Sequence, residues 1–182
     1  MAVSRLVGRA TTPYAISMHH WHRVFGSDPA PPALDILVGL ARRFFPPAEL
    51  HAEVTDLGWQ RAKLQLPAGS SPPIEGTTEG VILTLHRYRR EEEGIRGELQ
   101  AWATAIEQRV ELPAQEILLR QVATAQQILT LDVATTTGLP LAFALCRHLA
   151  TRTAGTFQID GRGYFDAEGH LLLEEEAHDP LS

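Results

Sequence analysis

The sequence predicts an α+β fold in which a mostly antiparallel sheet carries helices packed on one of its faces. Two kinds of periodicity support this prediction. Residues 14–20 and 50–54 alternate apolar and polar side chains, as a half-buried strand does. Residues 34–45 instead repeat apolar side chains at helical spacing, and Pro46 and Pro47 end that pattern. Hairpins and amphipathic helices must bury their apolar sides against each other, which favours a layered domain.

The first half of the chain is predicted to begin with a strand over residues 14–20. A proline-containing loop then leads into a helix over 34–45. A hairpin follows, with strands at 50–54 and 59–66, and its turn is signalled by Asp56 and Gly58. Residues 67–80 are rich in proline, glycine and hydroxyl side chains and indicate a loop, and residues 81–88 indicate a strand.

The second half is predicted to open with a pair of helices over residues 91–110 and 113–125. Glu91, Glu92 and Glu93 favour the positive end of the first helix dipole, and Pro113 suits the start of the second. The chain is completed by a strand over 127–133, a helix over 139–150, a strand over 155–160 and, within 163–173, either a strand pair or one bulged strand.

The order strand, helix, hairpin occurs twice, in residues 14–66 and again in 127–173. With an offset of 105 residues, Gly58 and Trp59 align with Gly163 and Tyr164. The sequence therefore predicts duplicated β-α-β-β units within a single domain over residues 1–182. Strand 81–88 and the helical pair 91–125 would link the two units, with a groove between them.

Composition indicates an ordinary globular protein with an acidic balance. Of 182 residues, 44% are hydrophobic and 21% charged, and the net charge is −6. A negative chain repels phosphate backbones, so nucleic acid is not an expected partner, whereas a basic protein is. No apolar run reaches the length of a membrane span, and the lone Cys146 suits a reducing compartment, so we expect no membrane partner and a cytoplasmic location. No organic cofactor is indicated.

Histidines are the residues that most suggest metal chemistry. His20 and His22 project from one face of a continuous strand, a spacing that suits a divalent metal. His86 is a candidate third ligand, with His51 and Asp132 as further options. The competing interpretation is a polar strand end whose imidazoles are solvated or hydrogen-bonded.

His86 and Asp132 also suggest a second kind of chemistry. Each follows the same four-residue word, Ile-Leu-Thr-Leu. If the two strands are neighbours, the carboxylate could orient the imidazole, as in general acid-base sites. A surface histidine near an aspartate is the simpler alternative.

Residues 157–166 read Phe-Gln-Ile-Asp-Gly-Arg-Gly-Tyr-Phe-Asp. This segment resembles the strand-turn-strand ending of small bacterial proteins, some of which are immunity proteins that accompany toxins. The resemblance implies a binding role, of immunity or regulatory type, and no particular functional residue.

The leading functional hypothesis is a non-catalytic protein-binding module that engages a basic partner. The predicted contacts are the acidic tail Glu174, Glu175 and Glu176, the loop glutamates Glu75 and Glu79, and the groove between the repeated units. The alternative is a metal-dependent enzyme centred on His20, His22 and His86. A third hypothesis is self-association, in which an edge strand at 14–20 pairs with its copy.

Overall fold

The computed structural model of the chain describes residues 20–70, 80–109 and 113–175, with Ala114 described in its backbone only. These residues form eight strands and four α-helices. In chain order the elements are β1 (His20–Gly26), α1 (Leu34–Phe44), β2 (Glu49–Thr55), β3 (Gly58–Gln65), β4 (Val81–Arg89), α2 (Ile95–Glu107), α3 (Pro113–Thr124), β5 (Gln127–Val133), α4 (Leu139–Arg152), β6 (Thr156–Ile159), β7 (Gly163–Phe165) and β8 (Leu171–Glu174).

All eight strands belong to one antiparallel sheet in the order β2-β3-β4-β5-β1-β6-β7-β8. β1 lies in the middle, paired with β5 from His20↔Val133 to Gly26↔Gln127 and with β6 on its other side. The α+β class and the antiparallel sheet are therefore confirmed. The predicted edge strand at 14–20 lies outside the described residues except for His20, which begins the central strand. Within the described chain the edges are β2 and β8.

Helices cover both faces of the sheet, which corrects the expectation that they share one face. Val24 packs in a core with residues of α1 and α4, whereas its neighbour Phe25 packs in a second core with residues of α2 and α3. Successive strand residues point to opposite faces, so the two cores lie on opposite sides. The physical reason is that central strands such as β5 are buried along most of their length and need cover on both faces.

The two similar segments share an element order but differ in how they join the sheet. β1 and β2 run in the same direction and are connected through α1. Three strands, β5, β4 and β3, lie between them in the sheet. β5 and β6 also run in the same direction but are connected through α4 across β1 alone. Gly58 and Gly163 both begin a strand at positive φ, yet Trp59 lies in the core with α1 and Tyr164 in the core with α2.

Helix α2 begins at Ile95, later than the acidic run predicts. Gly94 precedes it in a left-handed conformation, φ 82°, and Glu92 lies in the turn before it, where its carboxylate accepts a hydrogen bond from the Arg89 backbone N–H at 3.1 Å. Among the described residues, none of the helices combines the length and the hydrophobicity that crossing a membrane requires.

His22 is a buried polar residue of the central strand, with 2% of its surface exposed. It stands between Leu131 of β5 and Ile159 of β6, on the side of the sheet covered by α1 and α4. Its Nδ1 atom has no hydrogen-bond partner among the described residues. Burial lowers the pKa of His22 to about 4, because the charged imidazolium is poorly solvated there.

Acid should therefore destabilise the fold through His22. Its pKa is about 4 in the fold against an ordinary value of 6.5, so the unfolded chain takes up a proton first as the pH falls. The contribution of neutral His22 is complete above pH 6.5 and is lost as the pH falls towards 4, by about 3 kcal/mol. Urea unfolding at pH 7.5 and pH 4 should show that difference in wild type and a smaller pH dependence in His22→Leu. The exposed control His51→Gln should lose as much free energy of unfolding between pH 7.5 and pH 4 as wild type does. An equal loss in all three proteins would contradict the prediction.

Candidate functional site

The three histidines proposed as metal ligands do not converge. His22 is paired with Leu131, and His20 points to the same face of β1. Arg23 follows His22 in β1 and therefore points to the opposite face. Thr130 is paired with both Arg23 and His86, so His86 shares that opposite face. One polar row crosses the sheet on that second face: Glu53, Arg61, His86, Thr130, Arg23, Gln158 and Tyr164. The sheet itself separates His86 from the other two imidazoles.

His86 and Asp132 do lie on neighbouring strands, as the repeated word suggested. β4 pairs with β5 so that His86 faces Thr130 and Thr84 faces Asp132, which places the two side chains diagonally on one face. Burial and then the Arg61 guanidinium lower the pKa of His86, while Asp132 acts in the opposite direction. The ring of His86 stacks on Tyr88 at a centroid distance of 6.1 Å. These contacts form a half-exposed polar face of the sheet.

A different cluster in the described chain has metal-ligand spacing, in the turn between β7 and β8. One ligand atom from each of Asp166, Glu168 and His170 lies within 4.8 Å of the others. Asp166 accepts hydrogen bonds from the His170 backbone N–H at 2.8 Å and its ring Nδ1 at 3.0 Å. These bonds close the turn, and that structural role accounts for the cluster.

The acidic residues predicted to bind a partner are only partly described. Glu75, Glu79 and Glu176 lie outside the described residues. Glu175 serves the fold, because its carboxylate accepts hydrogen bonds from the Gly161 N–H at 2.7 Å and the Gln158 amide at 3.1 Å. Glu174 is exposed at the end of β8, and its role in binding stays a prediction.

A surface that the sequence did not indicate lies along the edge of the sheet, between α1 and β2. An open depression of about 360 Å³, the α1–β2 groove, separates these two elements. It is lined by Leu34, Asp35, Val38, Arg42, Glu49, Leu50 and His51. Aliphatic residues and charged or polar residues thus both border the groove.

The groove exists because α1 buries only part of its apolar surface. Leu37 and Ala41 are fully buried in the core, whereas Leu34 and Val38 remain half-buried beside it. Across the groove, β2 alternates the half-buried Leu50 and Ala52 with the exposed Glu49, His51 and Glu53. β2 pairs only with β3 in the described chain, so its outer backbone edge has no strand beside it there.

Exposed apolar side chains concentrate on the same elements. Six large hydrophobic residues of the described chain are exposed, and four of them lie on α1 or the β2–β3 hairpin. They are Ile36, Phe44, Val54 at 67% exposure and Leu57 at 55%. These residues are exposed singly on the elements that flank the groove.

Arg87 holds the loop before α1 against the turn that follows β2. This buried guanidinium donates to the Gln127 side-chain oxygen at 2.7 Å, to the Pro29 carbonyl at 2.7 Å and to the Leu57 carbonyl at 3.1 Å. Burial lowers its pKa. Gln127 in turn donates to the Ala30 carbonyl at 3.1 Å. The network fixes where α1 begins relative to the β2–β3 hairpin.

The same loop packs closely against the start of β3. The Trp59 indole N–H donates to the Pro32 carbonyl at 2.8 Å. Gly58 has φ +96°, and a Cβ there would lie 2.9 Å from Pro31, so a larger residue would push the loop away. One end of the α1–β2 groove is therefore built on rigid, well-packed contacts.

Comparison of the chain with protein-family models, with curated proteins and with solved structures finds no match. The candidate site consequently depends on geometry alone.

Two sequence signals could have indicated the α1–β2 groove. Leu34 and Val38 are four residues apart, on a helical row adjacent to the core stripe of α1. The run from Glu49 to Val54 alternates charged or polar residues with apolar ones, as an edge strand does. Neither signal identifies its neighbour, because the contact between α1 and β2 depends on the sheet order.

Arg87→Met should destabilise the chain and loosen the groove. The substitution keeps the aliphatic volume but leaves two backbone carbonyls and the Gln127 oxygen without a donor, at a cost of about 1–3 kcal/mol for each unsatisfied buried group. Urea unfolding should show a loss of about 3 kcal/mol, and hydrogen exchange should rise in residues 27–33. The exposed Arg96→Met should leave both unchanged, and an equal loss in both variants would contradict the role of Arg87.

Proposed function

We propose that this chain is a non-catalytic protein-binding module that takes an extended segment of a partner protein on the outer edge of β2, beside the α1–β2 groove. The observation that supports the proposal is a seven-residue edge strand next to an open depression bordered by aliphatic as well as charged residues. The acidic charge of the chain, −6, favours a basic partner.

Strand addition explains how such an edge recognises a protein. The exposed N–H and C=O groups of an edge strand hydrogen-bond to an extended segment and supply affinity that depends little on sequence. Alternate side chains of the added strand enter a neighbouring groove, which supplies specificity. At about 3.4 Å per residue, β2 offers roughly 24 Å of edge.

An immunity-type role, which the resemblance of residues 157–166 implies, is the special case in which the partner is a toxin. A cytoplasmic location belongs to the same proposal. Self-association would occupy the same edge, since β2 and β8 are the edges of the described sheet. The net charge of −6 opposes pairing of two copies and favours a different protein.

The alternative hypothesis, a metal-dependent enzyme, would need a ligand set other than His20, His22 and His86. His20 and His22 lie on one face of the sheet and His86 lies on the other, so these three imidazoles cannot ligate one ion.

A random peptide library selected on the folded chain tests the proposal. Enriched peptides should bind wild type and protect backbone amides of residues 49–55 from hydrogen exchange. Val38→Arg should weaken their binding at least tenfold, because a long charged side chain fills the α1–β2 groove. Gln100→Arg, at an exposed position of α2, is the matched control and should bind as wild type does.

Two results would count against the proposal. One is a selection that yields no peptide protecting residues 49–55. The other is a concentration-dependent dimer, measured by light scattering, that Val38→Arg disrupts, because the edge would then belong to a second copy of the chain.

A further inference from the structure

The side chains of β2 define which extended segments fit its edge. We propose that the bound segment has a five-residue pattern: a basic side chain, an apolar one, any residue, an apolar one and a second basic one. This inference rests on the proposed function. The pattern lies opposite residues 49–53 of β2. It names the chemistry of the partner segment, an extended basic and apolar strand.

The two faces of β2 differ in chemistry. Leu50 and Ala52 are paired with the buried Leu64 and Ala62, so they point to the side of the sheet that carries α1 and the groove. Glu49, His51 and Glu53 point to the other side, and Glu53 is paired with Arg61 of the polar row. Apolar and acidic positions therefore alternate along the edge.

A strand that pairs with β2 directs its side chains alternately to the same two faces. Directly opposite residues of neighbouring antiparallel strands place their Cβ atoms about 4.5–5.5 Å apart on the same face. Partner residues opposite Leu50 and Ala52 thus extend towards the groove and the half-buried Val38. Partner residues opposite Glu49 and Glu53 extend over carboxylates on the other face.

Both carboxylates have room for a further cation. The side chain of Glu49 is 48% exposed and that of Glu53 is 69% exposed. Their polar contacts within the chain are long, 3.6 Å from Glu49 to the His51 ring and 3.6 Å from Glu53 to the Arg61 guanidinium, beyond ordinary hydrogen-bond length. A lysine or arginine on an added strand can approach either carboxylate more closely than these partners do.

The length of the pattern follows from the regular part of β2. Its pairing with β3 is continuous from Glu49 to Glu53, and the register shifts between Glu53 and Val54. A bulge of this kind bends the strand pair and alters the local twist, which ends the flat stretch available to a partner. The pattern is symmetric about His51, so it is the same for a parallel and an antiparallel segment.

A second copy of β2 fits poorly beside residues 49–53. Antiparallel pairing about His51 would set Glu49 of each copy opposite Glu53 of the other, and like charges directly opposite are destabilising. The charges of residues 49–53 therefore disfavour pairing of two copies in that register and favour a basic segment.

Two synthetic peptides of equal composition test the pattern by fluorescence polarisation. The first contains Lys-Val-Thr-Val-Lys, which puts both lysines on one face and both valines on the other. The second contains Lys-Lys-Thr-Val-Val, which splits each pair between faces in every register. Each is flanked by Gly-Ser and capped at both ends. Wild type should bind the first at least tenfold more tightly, and equal affinities would overturn the inference.

Reversing the charge of Glu49 and Glu53 tests whether these two carboxylates bind the basic residues of the peptide. The double variant Glu49→Lys, Glu53→Lys should bind Lys-Val-Thr-Val-Lys at least tenfold more weakly than wild type and should gain affinity for Glu-Val-Thr-Val-Glu. Glu107→Lys with Glu116→Lys changes the net charge equally, at exposed positions of α2 and α3, and should bind both peptides as wild type does. If that control pair loses affinity equally, binding reflects overall charge and the inference is wrong.

Hydrogen exchange separates the failure of the inference from that of the proposed function. If library-selected peptides protect residues 49–55 but lack the basic and apolar pattern, the inference fails and the binding module stands. If neither selected nor designed peptides protect β2, both fail. If selected peptides that carry the pattern and the designed peptide both protect β2, and Val38→Arg abolishes that protection, both are supported.

Discussion

The antiparallel pairing of β1 with β5 is the constraint on which the rest of the structure depends. It joins His20–Gly26 to Gln127–Val133 over their whole length, so two strands far apart along the chain form the centre of the sheet. Central strands are buried on both faces and bury more apolar surface than any edge strand. Once β1 and β5 are adjacent, β4 and β6 occupy their free edges, and the two crossover helices α1 and α4 lie together on one side.

The α1–β2 groove is a consequence of that arrangement. The connection through α1 passes over three strands before β2 is added, and this leaves β2 at the sheet edge. The opposite core draws on β1, β5, β7 and β8 but on no residue of β2 or β3, so the outer strands keep a polar second face. An edge strand with one apolar and one charged face is thus produced by chain connectivity. The same connectivity sets the two faces that a bound strand would meet.

Several buried or partly buried polar groups stabilise the fold. Arg87 and Gln127 satisfy backbone carbonyls of the loop before α1. Arg23 donates to Gln158 at 2.9 Å, pairs with Asp160 and lies 5.0 Å from the ring of Trp102. Buried polar groups with complete hydrogen bonding specify one arrangement of the strands, because any other arrangement would leave them unsatisfied. The exposed, weakly paired carboxylates of β2 are different, since they remain accessible to a partner.

The α+β class and most elements could be predicted from the sequence, because alternation, helical periodicity and turn residues act over a few positions. The central strand His20–Gly26 was not among the predicted elements, since the predicted strand at 14–20 meets it only at His20. The strand Gln127–Val133 has its predicted bounds, and α1 and α4 begin at their predicted residues. The repeated strand word left open whether His86 meets Asp132, because that depends on β4 lying beside β5. Contacts distant along the chain determine that β1 is central, that helices cover both faces, and that His86 is separated from His20 and His22. Strand order and register arise from contacts distant along the chain, and a shift of register by one residue reverses the face of every side chain in a strand.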